Sequence, residues 1–322
     1  LETLSAEVVE DLRQGRASRE HKLAVCTGGA QISAPDLAEV LTVLALDSDE
    51  LVASRARESI LSLPIQSFVE ALNRETALEP LFQYAATNLA GKPPVLNAMI
   101  KNKSCGPGHL LPIVPHLSTL DIQALMEELE RVVDSRELVS ALGKSSSVTL
   151  EQKAQLNELL SDEKPDEAAL ALAAEDLEMD EDRRKTLLQQ ISAMTVAQRV
   201  KFAMKGGADA RRVLIRDTNK VVQRAVLQSP RLTDQEVEAF AAMSNLTDEI
   251  LRLIGKNRSF RKNYTVVRNL LNNGKAPLDV TLNLLPMLNP LDLKKLTMNK
   301  NVPETLRTTA VKLQRQRAEA KK

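Results

Sequence analysis

The chain has no tryptophan, and only 2 tyrosines and 5 phenylalanines among its 322 residues. Hydrophobic residues nonetheless make up 43%, so a core must be built from Leu, Val, Ile, Ala and Met. That excludes the aromatic, β-branched strands on which sandwiches and barrels lean, and favours packing between helices. Cysteine is scarce too: Cys26 and Cys105 lie far apart and supply neither a disulfide framework nor a paired metal-ligand spacing. Such usage fits a reducing compartment, and a cytoplasmic location is the expectation. No apolar run approaches the roughly 20 residues that cross a bilayer, and the acidic, amphipathic opening of residues 1–15 is unlike a secretory signal. No membrane insertion is expected.

Groups that carry chemistry are equally thin. The only histidines are His21, His109 and His116, and Cys105 with His109 and His116 fits no zinc spacing. Gly143-Lys144-Ser145 imitates the end of a phosphate loop, but Leu138 stands where the leading glycine is required. Carboxylate runs such as Glu127, Glu128 and Glu130 read as a solvated helix face, because an acid or base needs burial or a close partner to shift its pKa. The expectation is a protein that is not an enzyme, with no catalytic residue, no metal and no cofactor.

What the sequence does contain is helical periodicity and a sorted charge. Apolar residues recur at three- and four-residue steps, as in Leu37, Val40, Leu41 and Leu44. Thr149 with Gln152, Thr195 with Gln198 and Thr233 with Glu236 have capping-box spacing, which predicts three helix starts. The interruptions also look alike. Val226, Leu270 and Leu296 are each followed three positions on by a small polar residue (Ser229, Asn273, Asn299), and four later by Thr233, Pro277 or Pro303. Anchors at 226 and 253, and at 270 and 296, set a period of about 26 residues, within the range of helical-repeat arrays. Met99–Asn102 and Ala141–Lys144 are weaker copies, and residues 93–119, rich in Pro and Gly, depart from the pattern.

Near the start, Leu46-Asp47-Ser48-Asp49-Glu50-Leu51-Val52, followed by Arg55 and Ala56, resembles a HEAT repeat, in which a turn aspartate and a second-helix arginine pair along the stack. The chain is similar to HEAT-like and leucine-rich-repeat-variant α-solenoids. Residues 211–312 resemble a widespread group of uncharacterised bacterial repeat proteins. The resemblance implies an all-α solenoid of short helical hairpins whose extended surface binds other proteins.

Residues 1–182 hold 15 basic and 32 acidic residues, and residues 183–322 hold 28 and 11, so a net of −17 is followed by a net of +17. Three regions follow: an acidic repeat region over 1–160, an acid-dense linker or irregular repeat over 161–185, and a basic repeat region over 186–322 ending in a basic tail. The candidate partner-binding residues are Arg211, Arg212, Arg216, Lys220 and Arg224, with Lys256, Arg258, Arg261 and Lys262 reinforcing them. Asp217-Thr218-Asn219 is expected to start a new helix inside that row. The solvated-face reading of these charges stands beside the functional one. An acidic protein partner is the leading expectation; nucleic acid is the alternative, and the opposite halves also allow self-association. Phe260 and Tyr264, one turn apart among these cations, are expected in the core.

Overall fold

The computed structural model describes residues 2–319 except Asp176 and Glu178. Among the described residues the protein is all-α: 23 short α-helices and three 3-10 helices, with one two-residue parallel pairing of Glu2–Thr3 with Ala30–Gln31. The helices begin where polar caps dictate. All three Thr boxes form, with Thr149 and Gln152, Thr195 and Gln198, and Thr233 and Glu236 each exchanging side-chain-to-backbone bonds. Asp217 Oδ1 accepts the Asn219 N–H, and Asn219 Oδ1 accepts those of Val221 and Val222, so the break at 217–219 does open a helix, Lys220–Leu227.

The chain divides into two compact units, Leu1–Asn157 and Glu158–Lys322. In the first, Ala34–Leu44 lies against Ala6–Arg13, Glu50–Ile60 and Ile65–Leu72, and Ile65–Leu72 lies against Pro93–Lys101. Leu12, Leu41, Val52, Phe68 and Met99 fill the space between them. The Pro- and Gly-rich stretch is helical as well. Pro93 and Pro107 sit in first turns, where a missing N–H costs nothing, and Leu111–His116 is a 3-10 helix with Ile113 and Val114 buried.

In the second unit the same skipping pattern recurs. Val196–Lys205 packs on Lys220–Leu227, which packs on Asp248–Lys256, then Leu278–Leu284, then Glu304–Glu319. Asp234–Ala242 packs on Tyr264–Asn272, and that helix on Pro290–Met298. The acid-dense run contributes a helix of its own, Glu167–Ala174, which buries Leu170, Ala173 and Ala174 and lies against Ala208–Leu214. Its carboxylates at 162, 163, 166 and 167 face solvent, which is why the segment reads as linker-like from composition. Asp176 and Glu178 of that run, and Ala320, Lys321 and Lys322 of the basic tail, lie outside the described residues. Arg315 and Arg317 both belong to Glu304–Glu319, and Arg317 donates to the Leu288 and Pro286 carbonyls at 2.7 and 2.6 Å.

The recurring small polar residues fasten one helix pair to the previous one. Buried Asn273 donates from Nδ2 to the Ala241 and Met243 carbonyls at 3.0 and 2.8 Å, and its Oδ1 accepts the Lys275 N–H at 3.0 Å. Ser229 donates to the Met204 carbonyl at 2.9 Å, and Asn299 to Asn272 Oδ1 at 2.9 Å. These turns approach so closely that a Cβ on Gly274 would stand 2.3 Å from the Asn301 carbonyl oxygen. Backbone cannot rotate out of the way. Gly274→Ala is therefore expected to destabilise the chain by about 1–3 kcal/mol, read as a lower urea midpoint with an unchanged slope.

Candidate functional site

The nine candidate cations separate into those spent on the fold and those left for a partner. Arg211 is only 3% exposed; its Nε and Nη2 meet the two Glu236 oxygens at 2.8 and 3.0 Å, and its Nη1 donates to the Gly206 carbonyl at 2.7 Å. It is a fastener between helix pairs, which corrects its place in a surface stripe. Glu236 is desolvated, which works upward on its pKa, but bonds from Arg211 and Thr233 outweigh this and hold it below the usual carboxylate value. Arg224 bonds Glu249 Oε1 through Nε at 3.0 Å and again through Nη2, while Lys220 Nζ stands 3.1 Å from Oε2 of the same carboxylate. One glutamate thus takes two candidates.

Arg216 and Arg212, one turn apart, share a cleft of about 290 Å³ with Ala173, Leu177, Ala239, Ala242 and Met243. Arg216 is held by the Ala173 carbonyl at 3.0 Å and Met243 Sδ at 3.6 Å. Arg212 is half-buried and makes no hydrogen bond or ion pair among the described residues. A guanidinium in that position has apolar walls on its flank and no counter-charge among the described residues. The remaining four sit together elsewhere. Lys256, Arg258, Arg261 and Lys262 occupy the turn between Asp248–Lys256 and Tyr264–Asn272, three of them exposed and none with a described carboxylate partner. Phe260 and Tyr264 are not in the core: Phe260 is half-buried and Tyr264 is 37% exposed.

No protein-family model, curated protein or solved structure matches this chain. The site therefore rests on its own geometry. Sequence reasoning missed two further enclosed ion pairs. Arg199 Nε lies 2.9 Å from Asp217 Oδ2, with side chains 1% and 0% exposed. Desolvation raises the Asp217 pKa despite that neighbour. Arg13 Nε meets buried Glu39 Oε2 at 2.9 Å, and Glu39 Oε1 accepts the Leu78 N–H at 2.7 Å. A signal for both kinds of fastener existed: Arg13 to Glu39, Arg211 to Glu236 and Arg224 to Glu249 are offset by 26, 25 and 25 residues, about one repeat.

Outside the cleft both thiols are enclosed. Burial, the largest cause in each case, pushes the Cys26 thiol up to about 11 and the Cys105 thiol up to about 12. His109 stacks on Phe82 with centroids 5.9 Å apart and stands 3.8 Å from Glu79. Gly143 and Lys144 lie in the last turn of Arg136–Lys144, with Ser145 as its cap. A phosphate loop would place them before a helix N-terminus, where N–H groups converge. No described helix is long and apolar enough to cross a membrane.

Proposed function

We propose that the chain is a HEAT-like α-solenoid scaffold without an activity of its own, and that its Glu158–Lys322 unit holds an acidic segment of a protein partner at the Arg212 cleft. The repeat reading is supported by helices that pack on their second neighbours and by fasteners offset by about one repeat. The observation that carries the binding site is Arg212 itself. Its neighbours Arg211, Arg216 and Arg224 are spent on carboxylates, carbonyls and sulfur within the fold, whereas Arg212 borders an apolar-walled cleft and has no ion-pair partner among the described residues. A carboxylate next to an apolar side chain satisfies both features: the charge meets the guanidinium, and the apolar group covers Met243, Ala239 and Ala242.

The test uses the full chain and a fluorescein-labelled peptide of alternating Glu and Leu, with an isosteric Gln-Leu peptide as control. Tighter binding of the Glu peptide, and a loss of at least about tenfold in Arg212→Glu, are expected, since truncating one partner of a partly desolvated charge pair costs about 2 kcal/mol or more. Equal affinities for the two peptides, or for wild type and variant, would remove the cleft from the reading.

A further inference from the structure

One edge of the second unit is built from four successive turns, and its charge is distributed unlike that of the cleft. Residues 205–207 form the first turn. The second, 228–233, is tied to it by Ser229 Oγ on the Met204 carbonyl at 2.9 Å and by Arg231 Nη1 on the Lys205 carbonyl at 2.8 Å. The third, 256–263, is tied to the helix that follows the second by Asn263 Nδ2 on Glu238 Oε1 at 2.6 Å. The fourth, 285–289, is tied to the third because the Asn289 N–H donates to Tyr264 Oη at 3.2 Å while Tyr264 donates to Asp292 at 2.6 Å. The turns therefore follow one another along one side, at the spacing of packed helices, roughly 8–10 Å.

Six cations lie on the first three turns: Lys205, which has an interaction of its own, and Arg231, Lys256, Arg258, Arg261 and Lys262, all exposed except Arg261. A hydrogen bond from Arg231 to a carbonyl leaves its full charge in place. Of the carboxylates on this edge, Glu236 is neutralised by Arg211, whereas Glu238, bonded by Asn263, and Asp292, bonded by Tyr264 and Asn289, have neutral donors that leave their charge in place. With exposed Asp209 and Asp234 that makes four charged carboxylates along the edge, none of them on the third turn, against five cations besides Lys205. The third turn alone carries four cations and no carboxylate. That same turn holds Phe260, and it is bounded by Tyr264, the most exposed aromatic of the chain.

We infer that this edge binds a single-stranded polynucleotide. The cations of successive turns meet phosphates, and a base stacks on Tyr264. A row of cations alone fits any polyanion. A partly exposed aromatic side chain at the border of the most basic turn favours a strand whose bases are unpaired, because a duplex or an acidic peptide offers no unstacked base to cover it. The Tyr264 hydroxyl is fixed by Asn289 and Asp292, so the ring is presented in one orientation without an entropy cost on binding. This surface shares no residue with the Arg212 cleft, and either can fail without the other.

The experiment measures anisotropy of fluorescein-labelled dT12 and rU12, a 12-base-pair duplex and a poly-Glu peptide on the full chain across a salt series. The expected result is binding of both single strands at low salt, tighter than the duplex or the peptide; a preference for rU12 over dT12 would identify the natural strand as RNA. Lys256→Glu with Arg258→Glu and Lys262→Glu, all exposed and taking part in none of the bonds that tie the turns, is expected to lower affinity at least tenfold. The same triple variant should flatten the salt slope by about 2, at roughly 0.7 per lost phosphate contact. Tyr264→Ala is expected to lower affinity about tenfold while leaving the slope unchanged, with circular dichroism confirming an intact fold, and Arg212→Glu is expected to change nothing. No binding of either oligonucleotide at low salt would overturn the inference. Preference for the duplex or the peptide, or Tyr264→Ala binding as wild type, would overturn it equally.

Discussion

Replacing Arg211 by alanine is expected to destabilise the protein by about 3–5 kcal/mol, the cost of leaving one member of a buried ion pair without its counter-charge. Arg211 bonds both oxygens of Glu236 and the Gly206 carbonyl, and Glu236 is at the same time the returning half of the capping box that starts Asp234–Ala242. Removing the guanidinium thus strands a carboxylate at a helix start and leaves a carbonyl unmet. The pair is separable by a double-mutant cycle in urea: Arg211→Met with Glu236→Leu is expected to cost less than Arg211→Ala alone, because no charge remains buried. A double variant as unstable as the sum of the singles would show that the two side chains act independently.

The pH dependence of this effect has a definite sign. Glu236 has a folded-state pKa below its unfolded value, so its contribution is present above the ordinary carboxylate pKa, about 4.3, and is lost as pH falls through the folded value. Without Arg211 that stabilisation is gone, so the gap between wild type and Arg211→Ala is expected to narrow as pH drops below about 4. Asp217 works the other way. Its folded pKa is raised, so it favours the folded state as pH falls towards its unfolded pKa, and partly offsets the loss at Glu236.

These fasteners explain which parts of the structure could be read from sequence. A capping box is local: Thr195 and Gln198 meet within one turn whatever the rest of the chain does, and the spacing alone predicts them. The interruptions around Ser229, Asn273 and Asn299 were visible for the same reason, though their cross-pair bonds were not. The cation row failed differently. Whether an arginine faces solvent depends on a carboxylate about one repeat away, and composition does not encode that distance. Arg224 and Arg212 look equivalent in sequence, yet only Arg224 has a Glu at offset 25 placed to take it. Arg55 shows the same limit: instead of pairing along the stack it bonds Glu58 at 3.0 Å, and Asp47 takes Lys22 at 2.7 Å. The spacing of Phe260 and Tyr264 points to the core because an i, i+4 aromatic pair usually shares a buried helix face, whereas here Phe260 lies in a 3-10 turn and Tyr264 begins the next helix.

Asn273→Asp is expected to be more damaging than its size suggests, and more damaging than Asn273→Ala. The asparagine is 6% exposed and spends both amide hydrogens on the Ala241 and Met243 carbonyls while its oxygen accepts the Lys275 N–H. Alanine leaves those three groups unsatisfied, on the order of 3 kcal/mol at about 1 kcal/mol or more each. Aspartate keeps the shape and the Lys275 bond but points a buried negative charge at two carbonyl oxygens, which adds repulsion to the lost bonds. Its pKa should rise, since the protonated acid regains one donor, so the Asp variant is expected to recover stability as pH falls from 7 to 4 while the Ala variant does not. Asn102 makes the equivalent bonds in the first unit, to the Leu72 and Arg74 carbonyls and from the Ser104 N–H, and Asn102→Asp should reproduce the pattern. If urea midpoints at pH 7 placed either Asp variant within about 0.5 kcal/mol of wild type, in the range of an ordinary surface change, the turn asparagines would not be what ties successive helix pairs together.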